Sequence, residues 1–348
     1  MSLRLIRVFV ALVGALLVVS AAYTAYWYSA AEGVRSSIDR WVQDRRAAGW
    51  TVALGKPQIT GFPIHLEVFF QTPQISDPGS RWRWVAPNIR ARATPWSPRE
   101  ISVTAPGVHV LTLRGGALRA ELNGVEVEMV IKGSTFQTIV GRLSGVAVRL
   151  PRGERLVAGP VAIQLLGSTL ATPTTDVKAN TPRMVSSDMG ISIKLDARKV
   201  VLPADWRPAL GPSIDKIELD SVIMGEISPV GSLEEALRRW RDGGGTVEVA
   251  ALAIEWGVFQ LRTRGTFALD TNLQPEGATV ADIRGIDTAM EQLLAAGVID
   301  PRAAFAARIA GRALSFAGGS ARLPLSLQKQ QLYIGPVPIL KVKTIRWN

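Results

Sequence analysis

The run from Val8 to Tyr28, VFVALVGALLVVSAAYTAYWY, holds no charged residue. As a helix rising about 1.5 Å per residue, it is long enough to cross a hydrocarbon core of roughly 30 Å. Arg4 and Arg7 precede it, and the next charge after it is Glu32. That asymmetry places residues 1–7 in the cytoplasm and the remainder on the far side of a membrane. Tyr23, Tyr26, Trp27 and Tyr28 crowd the outgoing end, where amphipathic rings favour the headgroup layer. A cleaved signal peptide is the competing reading, with Val8–Val19 as its apolar core and Ser20-Ala21-Ala22 as a small-residue cleavage site. The apolar run continues past that site into the aromatic cluster, which favours a retained anchor. Both readings export the rest of the chain.

Export makes the cysteine count informative. There are 0 cysteines among 348 residues, so the exported body rests on core burial and not on disulfides. Thiolate catalysis, Cys-bound zinc and iron–sulfur clusters are excluded with them. Only two histidines, His65 and His109, are available for acid–base or metal chemistry. The hydrophobic content of 47% is that of a folded protein. The net charge of +11 suits contact with anionic headgroups as well as ordinary solubility. Nucleic acid is not expected as a partner beyond a membrane, and no helix concentrates the basic residues.

Past the anchor, Val34, Ile38, Trp41 and Val42 share one helical face and Gly49 is a natural stop, so residues 29–49 read as an amphipathic helix. From Trp50 onward short apolar runs alternate with Gly, Pro and Asn turns. Val125, Val127, Met129 and Ile131 point one way while Glu126 and Glu128 point the other. Asn123-Gly124 between two such runs predicts a hairpin. Residues 168–188 read as a Thr-, Ser- and Pro-rich loop. In the second half Ser232-Leu233-Glu234-Glu235 fits a capping box, Asp287 is expected to cap a helix ending near Gly297, and Asp300-Pro301 starts another. Val258–Arg264 and Thr266–Leu269 read as separate strands.

Crossover helices are missing between most strands, so the sheet is antiparallel. The expected fold is mainly β: a long curved antiparallel meander sheet with a few short helices, preceded by an N-terminal transmembrane helix. The expected divisions are 1–7 cytoplasmic, 8–28 anchor, 29–49 amphipathic helix, 50–167 first β-rich lobe, 168–188 loop and 189–348 second lobe with helices.

Motifs that carry chemistry are scarce. There is no phosphate-binding glycine loop, His-x-x-x-His pair, calcium loop or nucleophile elbow, and the carboxylates are scattered. His65 reads as a surface residue on a strand, His109 lies on a strand beside Val108 and Val110, and neither is expected to be catalytic. Hence no enzyme is expected, and no cofactor or metal. Arg81-Trp82-Arg83-Trp84, with Trp96 and Arg99 nearby, has two readings. One is a membrane-docking or groove-rim segment, by cation–π contact and ring amphipathy. The other, favoured, is a strand with its Trp face buried and its Arg face wet. A long sheet with one dry face and little helical cover must fold on itself or curl round a cavity able to hold acyl chains.

Several phrases also carry a resemblance. They are Gly61-Phe62-Pro63, the stretch Gly265-Thr266-Phe267-Ala268-Leu269-Asp270 on to Pro275-Glu276-Gly277, Leu293–Ile299, and the ending Leu323-Pro324-Leu325 through Gln331–Pro338. Together they resemble the domain-of-unknown-function 2125 family of α-proteobacterial membrane-anchored proteins. The closing phrases are also similar to the broader AsmA-like group of envelope proteins. That resemblance implies a β-rich periplasmic body on a single-pass inner-membrane helix, and a role near phospholipid traffic or outer-membrane homeostasis. It offers no catalytic residues. The resulting expectation is a periplasmic protein that binds or chaperones lipid or another apolar envelope component, with the inner membrane and phospholipid as partners. The alternative is a non-enzymatic scaffold that binds envelope proteins.

Overall fold

The computed structural model describes residues 3–347 except 114–115, 133–134, 168–189, 227–231, 303, 306–307, 310–314 and 317–319. The expected loop 168–188 therefore lies outside the described residues. The chain divides into two compact units, Met1–Met129 and Val130–Asn348.

In the first unit, the apolar run 8–28 and the amphipathic segment 29–49 form one helix, α1 (Leu3–Ala47), about 67 Å long at the usual rise. It ends where Gly49 takes φ +84°, a conformation that L side chains resist. Arg46 reaches past that turn and donates from Nε to the Val52 carbonyl at 3.1 Å, tying the helix to the first strand. The strands of this unit are β1 (Thr51–Ala53), β2 (Gln58–Thr60), β3 (Leu66–Gln71), β4 (Gln74–Ser76), β5 (Trp82–Val85), β6 (Asn88–Thr94), β7 (Ser97–Thr104), β8 (Gly107–Leu113) and β9 (Gly116–Asn123), followed by the start of β10 (Glu126–Lys132). All are antiparallel, but neighbours in sequence do not always pair. One ladder runs β1-β4-β5-β8-β9. Another runs β2-β3-β6-β7. The chain steps between them at Thr72-Pro73 and Ala86-Pro87, where the Thr72 N–H reaches the Pro87 carbonyl and the Ala86 N–H reaches that of Pro73.

The hairpin expected at Asn123-Gly124 does not form. β9 takes its partner from β8, and only Gly124 of the dipeptide has positive φ. A type I′ turn needs positive φ at both residues, and here pairing across the ladder overrode the local signal.

The second unit contains β11 (Thr135–Leu143), β12 (Gly145–Arg149), β13 (Arg155–Ala158), β14 (Val161–Gly167), β15 (Gly190–Val201), β16 (Ser213–Met224), α2 (Leu233–Asp242), β17 (Thr246–Trp256), β18 (Phe259–Leu269), β19 (Pro275–Arg284), α3 (Ile286–Ala295), β20 (Ser315–Phe316), β21 (Ser320–Gln328), β22 (Gln331–Ile334) and β23 (Val337–Lys341). From β14 to β19 each strand pairs with the next, and β21 then joins β19. β18 runs unbroken through Gly265, where two strands were expected. Gly265 belongs inside the ladder because a Cβ there would lie 2.3 Å from the Ala278 carbonyl oxygen.

The capping box at Ser232 is present. Its hydroxyl accepts from the Glu235 N–H, and the Glu235 carboxylate accepts from the Ser232 N–H. α2 buries Trp240, whose Nε1 donates to the Met224 carbonyl at 2.7 Å. α3 departs from expectation. Gly285, with φ +71°, precedes it, and Asp287 sits in its first turn without capping it. There the carboxylate favours the helix dipole and meets Arg308 at 3.3 Å. After Asp300 the described residues 301–302, 304–305 and 308–309 are helical. The C-terminal basic residues lie on a pinned segment: Trp347 Nε1 donates to the Leu273 carbonyl at 2.7 Å, and Gln274 bonds both backbone groups of Ile345.

Candidate functional site

Strand alternation sorts the second unit's sheet into two chemically distinct faces. Residues paired across neighbouring strands share a face. One row is Val161, Ala197, Ile217, Ile254, Leu261 and Ile283. The next is Ile163, Leu195, Leu219, Leu252, Thr263, Ala281 and Leu323. At the far end lie Ile191, Ile223, Val247 and Phe267. The opposite face carries the charges. Lys194 pairs with Asp220 at 2.9 Å, and Arg322 with Asp282 at 3.1 Å. Such exposed pairs contribute about 0–1 kcal/mol each, so they mark the wet side more than they hold it together.

The apolar face is not covered evenly. Over β19 and β21 it is sealed: Ala281, Ile283 and Leu323 are buried with Ala289 and Met290 of α3, Ile299, Ala304, Ile334 and Ile339. Over β14 to β17 the same rows are only half-buried. Leu195, Leu219, Leu252 and Ile254 are all partly exposed, and Ile163 is 38% exposed. Ala197 is buried beside Ala158 and Val200. With about 4.8 Å between strands, the four strands β14 to β17 give this half-buried stretch a width of about 14 Å. One β-bulge crosses this face: β17 carries an extra residue between Val249 and Leu252, opposite Asp220-Ser221 of β16 and Thr263–Gly265 of β18. Ser221 beside it, and Thr279 on β19, are buried polar residues. The Thr263 hydroxyl donates to the Val280 carbonyl at 3.1 Å.

A shallow groove of about 740 Å³ crosses β16 to β21, lined by Val222, Glu248, Arg264, Ala278, Val280 and Pro324 among others. Pairing places these six on the wet side. Among the described residues no three His, Asp or Glu side chains are grouped to hold a metal ion.

The sequence-singled residues fall in the first unit. Arg4 and Arg7 lie in the first turns of α1. α1 is long and apolar enough to cross a membrane, and its apolar window is unburied by protein among the described residues. The aromatic cluster at the C-terminal end of the apolar run docks on the strands that follow. Tyr23 Oη donates to the Pro63 carbonyl at 2.5 Å, Tyr26 Oη to that of Pro95 at 2.8 Å, and Trp27 Nε1 to that of His65 at 3.0 Å. Trp27 is only 4% exposed and packs with Ala31 and Leu66, while Tyr26 and Tyr28 remain exposed. Phe62 lies edge-on to Trp27 at 5.5 Å and stacks on Tyr28 at 6.1 Å. Phe62 and Ile64 escaped sequence reading as site residues because they flank an X-Pro turn that reads simply as a strand break.

Trp82 and Trp84 take protein partners. Trp82 meets Trp50 edge-on at 5.7 Å, and Trp84 stacks on His109 at 5.8 Å, while Arg81 and Arg83 are exposed. His109 is buried and its Nε2 lies 2.7 Å from the Ala105 carbonyl oxygen. It shares the inward side of β8 because the β5–β8 ladder brings it under Trp84. Asp77 holds the start of β5: Arg81 Nε donates to Oδ2 at 2.8 Å and the Trp82 N–H to Oδ1 at 2.9 Å. Burial pushes that carboxyl up, but the bonds from Trp82 and Arg81 outweigh it and hold the group below its usual range.

The family profile described as an uncharacterised protein conserved in bacteria, DUF2125, matches residues 27–343. The chain belongs to this family. The match begins at the docked Trp27 and runs through the whole β-rich body of this DUF2125 member. No curated protein and no solved structure is a match for it.

Proposed function

We propose that this DUF2125 protein is a single-pass inner-membrane protein with a periplasmic body, and that the half-covered apolar face over β14 to β17 takes the acyl chains of a phospholipid or another apolar envelope component. The observation that carries the reading is the partial exposure of Ile163, Leu195, Leu219, Leu252 and Ile254 on one continuous face. Leaving such a row open to water is unfavourable by about 25 cal/mol for each Å² of apolar surface, and a bound chain would recover much of that. The resemblance of the closing phrases to AsmA-like envelope proteins points the same way, and the Arg4/Arg7 asymmetry supports the orientation. The role is binding, with no chemical step assigned.

The test is native mass spectrometry and lipid extraction on the full chain purified in mild detergent, beside the double variant Leu195→Asp/Leu219→Asp. The parent is expected to carry phospholipid and the variant to lose most of it while keeping its circular dichroism. Equal lipid on both, or none on the parent, would refute the reading. Crosslinking in intact cells that traps one protein and no lipid would support the scaffold alternative instead.

A further inference from the structure

The docking of α1 fixes how far the body stands from the bilayer, if α1 crosses one. From Val8 to Ala22 the helix has 15 residues before the first bond to the body at Tyr23. Those residues span about 22 Å, short of the roughly 30 Å of a hydrocarbon core. The missing 8 Å or so is the length from Tyr23 to Tyr28. Along that length the helix is already bonded to Pro63, His65 and Pro95. The body segments bearing those carbonyls therefore stand level with the edge of the membrane.

Their composition fits that level. Gly61 to Ile64 and Thr94 to Pro98 carry no charge. Each exposes large apolar side chains: Phe62 is 47%, Ile64 55% and Trp96 63% exposed. Tyr26 and Tyr28 are exposed beside them on α1. Isolated exposed apolar residues are ordinary, but five large ones around the exit of an apolar helix form a collar. Rings of this kind favour the headgroup boundary, where one edge is dry and the other wet.

We infer that Phe62, Ile64 and Trp96 are a membrane-interface site: the two body loops bearing them sit in the headgroup layer of the leaflet that α1 enters on the body's side. The occupant is the phospholipid surface itself. This rests on the anchoring part of the reading above and is independent of the lipid face in the second unit.

The absence of native cysteine makes the test direct. Single variants Val13→Cys, Ser37→Cys, Ile64→Cys and Trp96→Cys of the full chain are spin-labelled and reconstituted in vesicles of phosphatidylethanolamine and phosphatidylglycerol. Collision with oxygen, which concentrates in lipid, is compared with collision with a water-soluble nickel chelate. Ile64→Cys and Trp96→Cys are expected to give oxygen-to-nickel ratios between those of Val13→Cys and Ser37→Cys, at a depth within about 5–10 Å of the headgroup boundary. Val13→Cys in lipid with both loop labels matching Ser37→Cys would overturn the collar and leave the anchor standing. Loop labels shielded from both reagents would overturn it too, because a protein surface would then be the occupant. A Val13→Cys label that reads as aqueous would remove anchor and collar together.

Discussion

Replacing Trp27 separates two roles for one ring. If the indole is an interfacial anchor, its loss weakens only contact with lipid. The structure instead buries it against Ala31 and Leu66, with Nε1 on the His65 carbonyl and an edge contact to Phe62. Truncating a buried Trp to Ala removes packing and leaves a cavity, at a cost of about 3–5 kcal/mol. The lost hydrogen bond contributes about 1 kcal/mol of that. Trp27→Phe keeps most of the ring and loses the donor, so about 1 kcal/mol is expected from it alone. The assay is urea unfolding of the full chain in a non-ionic detergent, followed by circular dichroism at the β-sheet band. Hydrogen exchange over Leu66–Gln71 gives the local reading, since Leu66 is the strand residue under the ring. The order parent, Trp27→Phe, Trp27→Ala is required, with faster exchange in β3 for the last. Unfolding of Trp27→Ala within about 0.5 kcal/mol of the parent, with β3 exchange unchanged, would mean that the helix is not held by this contact.

Three further outcomes follow from the geometry. Asp77→Asn is expected to cost on the order of 1–2 kcal/mol at neutral pH, because it removes the charge that Arg81 and the Trp82 N–H stabilise. The folded carboxyl titrates below its unfolded value, so its contribution is present above the unfolded value and is lost as pH falls through the folded one. Melting temperatures of parent and variant should accordingly converge on acidification from pH 5; a constant gap would contradict the assignment. Gly265→Val should destabilise the second unit by about 2–3 kcal/mol, since its Cβ meets the Ala278 carbonyl oxygen at 2.3 Å and Thr279 at 2.6 Å; thermal unfolding checks it. Ser232→Ala should cost about 1 kcal/mol and speed amide exchange in α2 without altering the strands.

Features governed by neighbours in sequence are legible in the sequence alone. The Gly49 stop, the Ser232 capping box and the two-faced pattern of β15 depend on a few adjacent residues, and all are present. Three local inferences failed where distant partners intervened. Asn123-Gly124 lost its hairpin because β9 pairs with β8. Gly265 was read as a break, but its missing side chain is what lets the β18–β19 ladder close. Asp287 ceded the start of α3 to Gly285, whose φ of +71° makes the turn out of β19. The candidate site divides the same way. Its apolar residues were visible as alternation, but no local signal could tell that Ala281 would be sealed while Leu195 stayed half-open.

Charge, hydropathy and turn residues along the chain were enough to determine an apolar N-terminal helix leading into an antiparallel body with one dry face. Those properties follow from local sterics and from the periods of helix and strand. Only the tertiary structure decided that Trp27 meets protein, that Phe62, Ile64 and Trp96 gather beside the helix, and that α3 and the C-terminal strands seal part of the dry face. Each joins residues separated by tens of positions. Such contacts depend on which surfaces gain most by meeting, and that is a property of the folded whole.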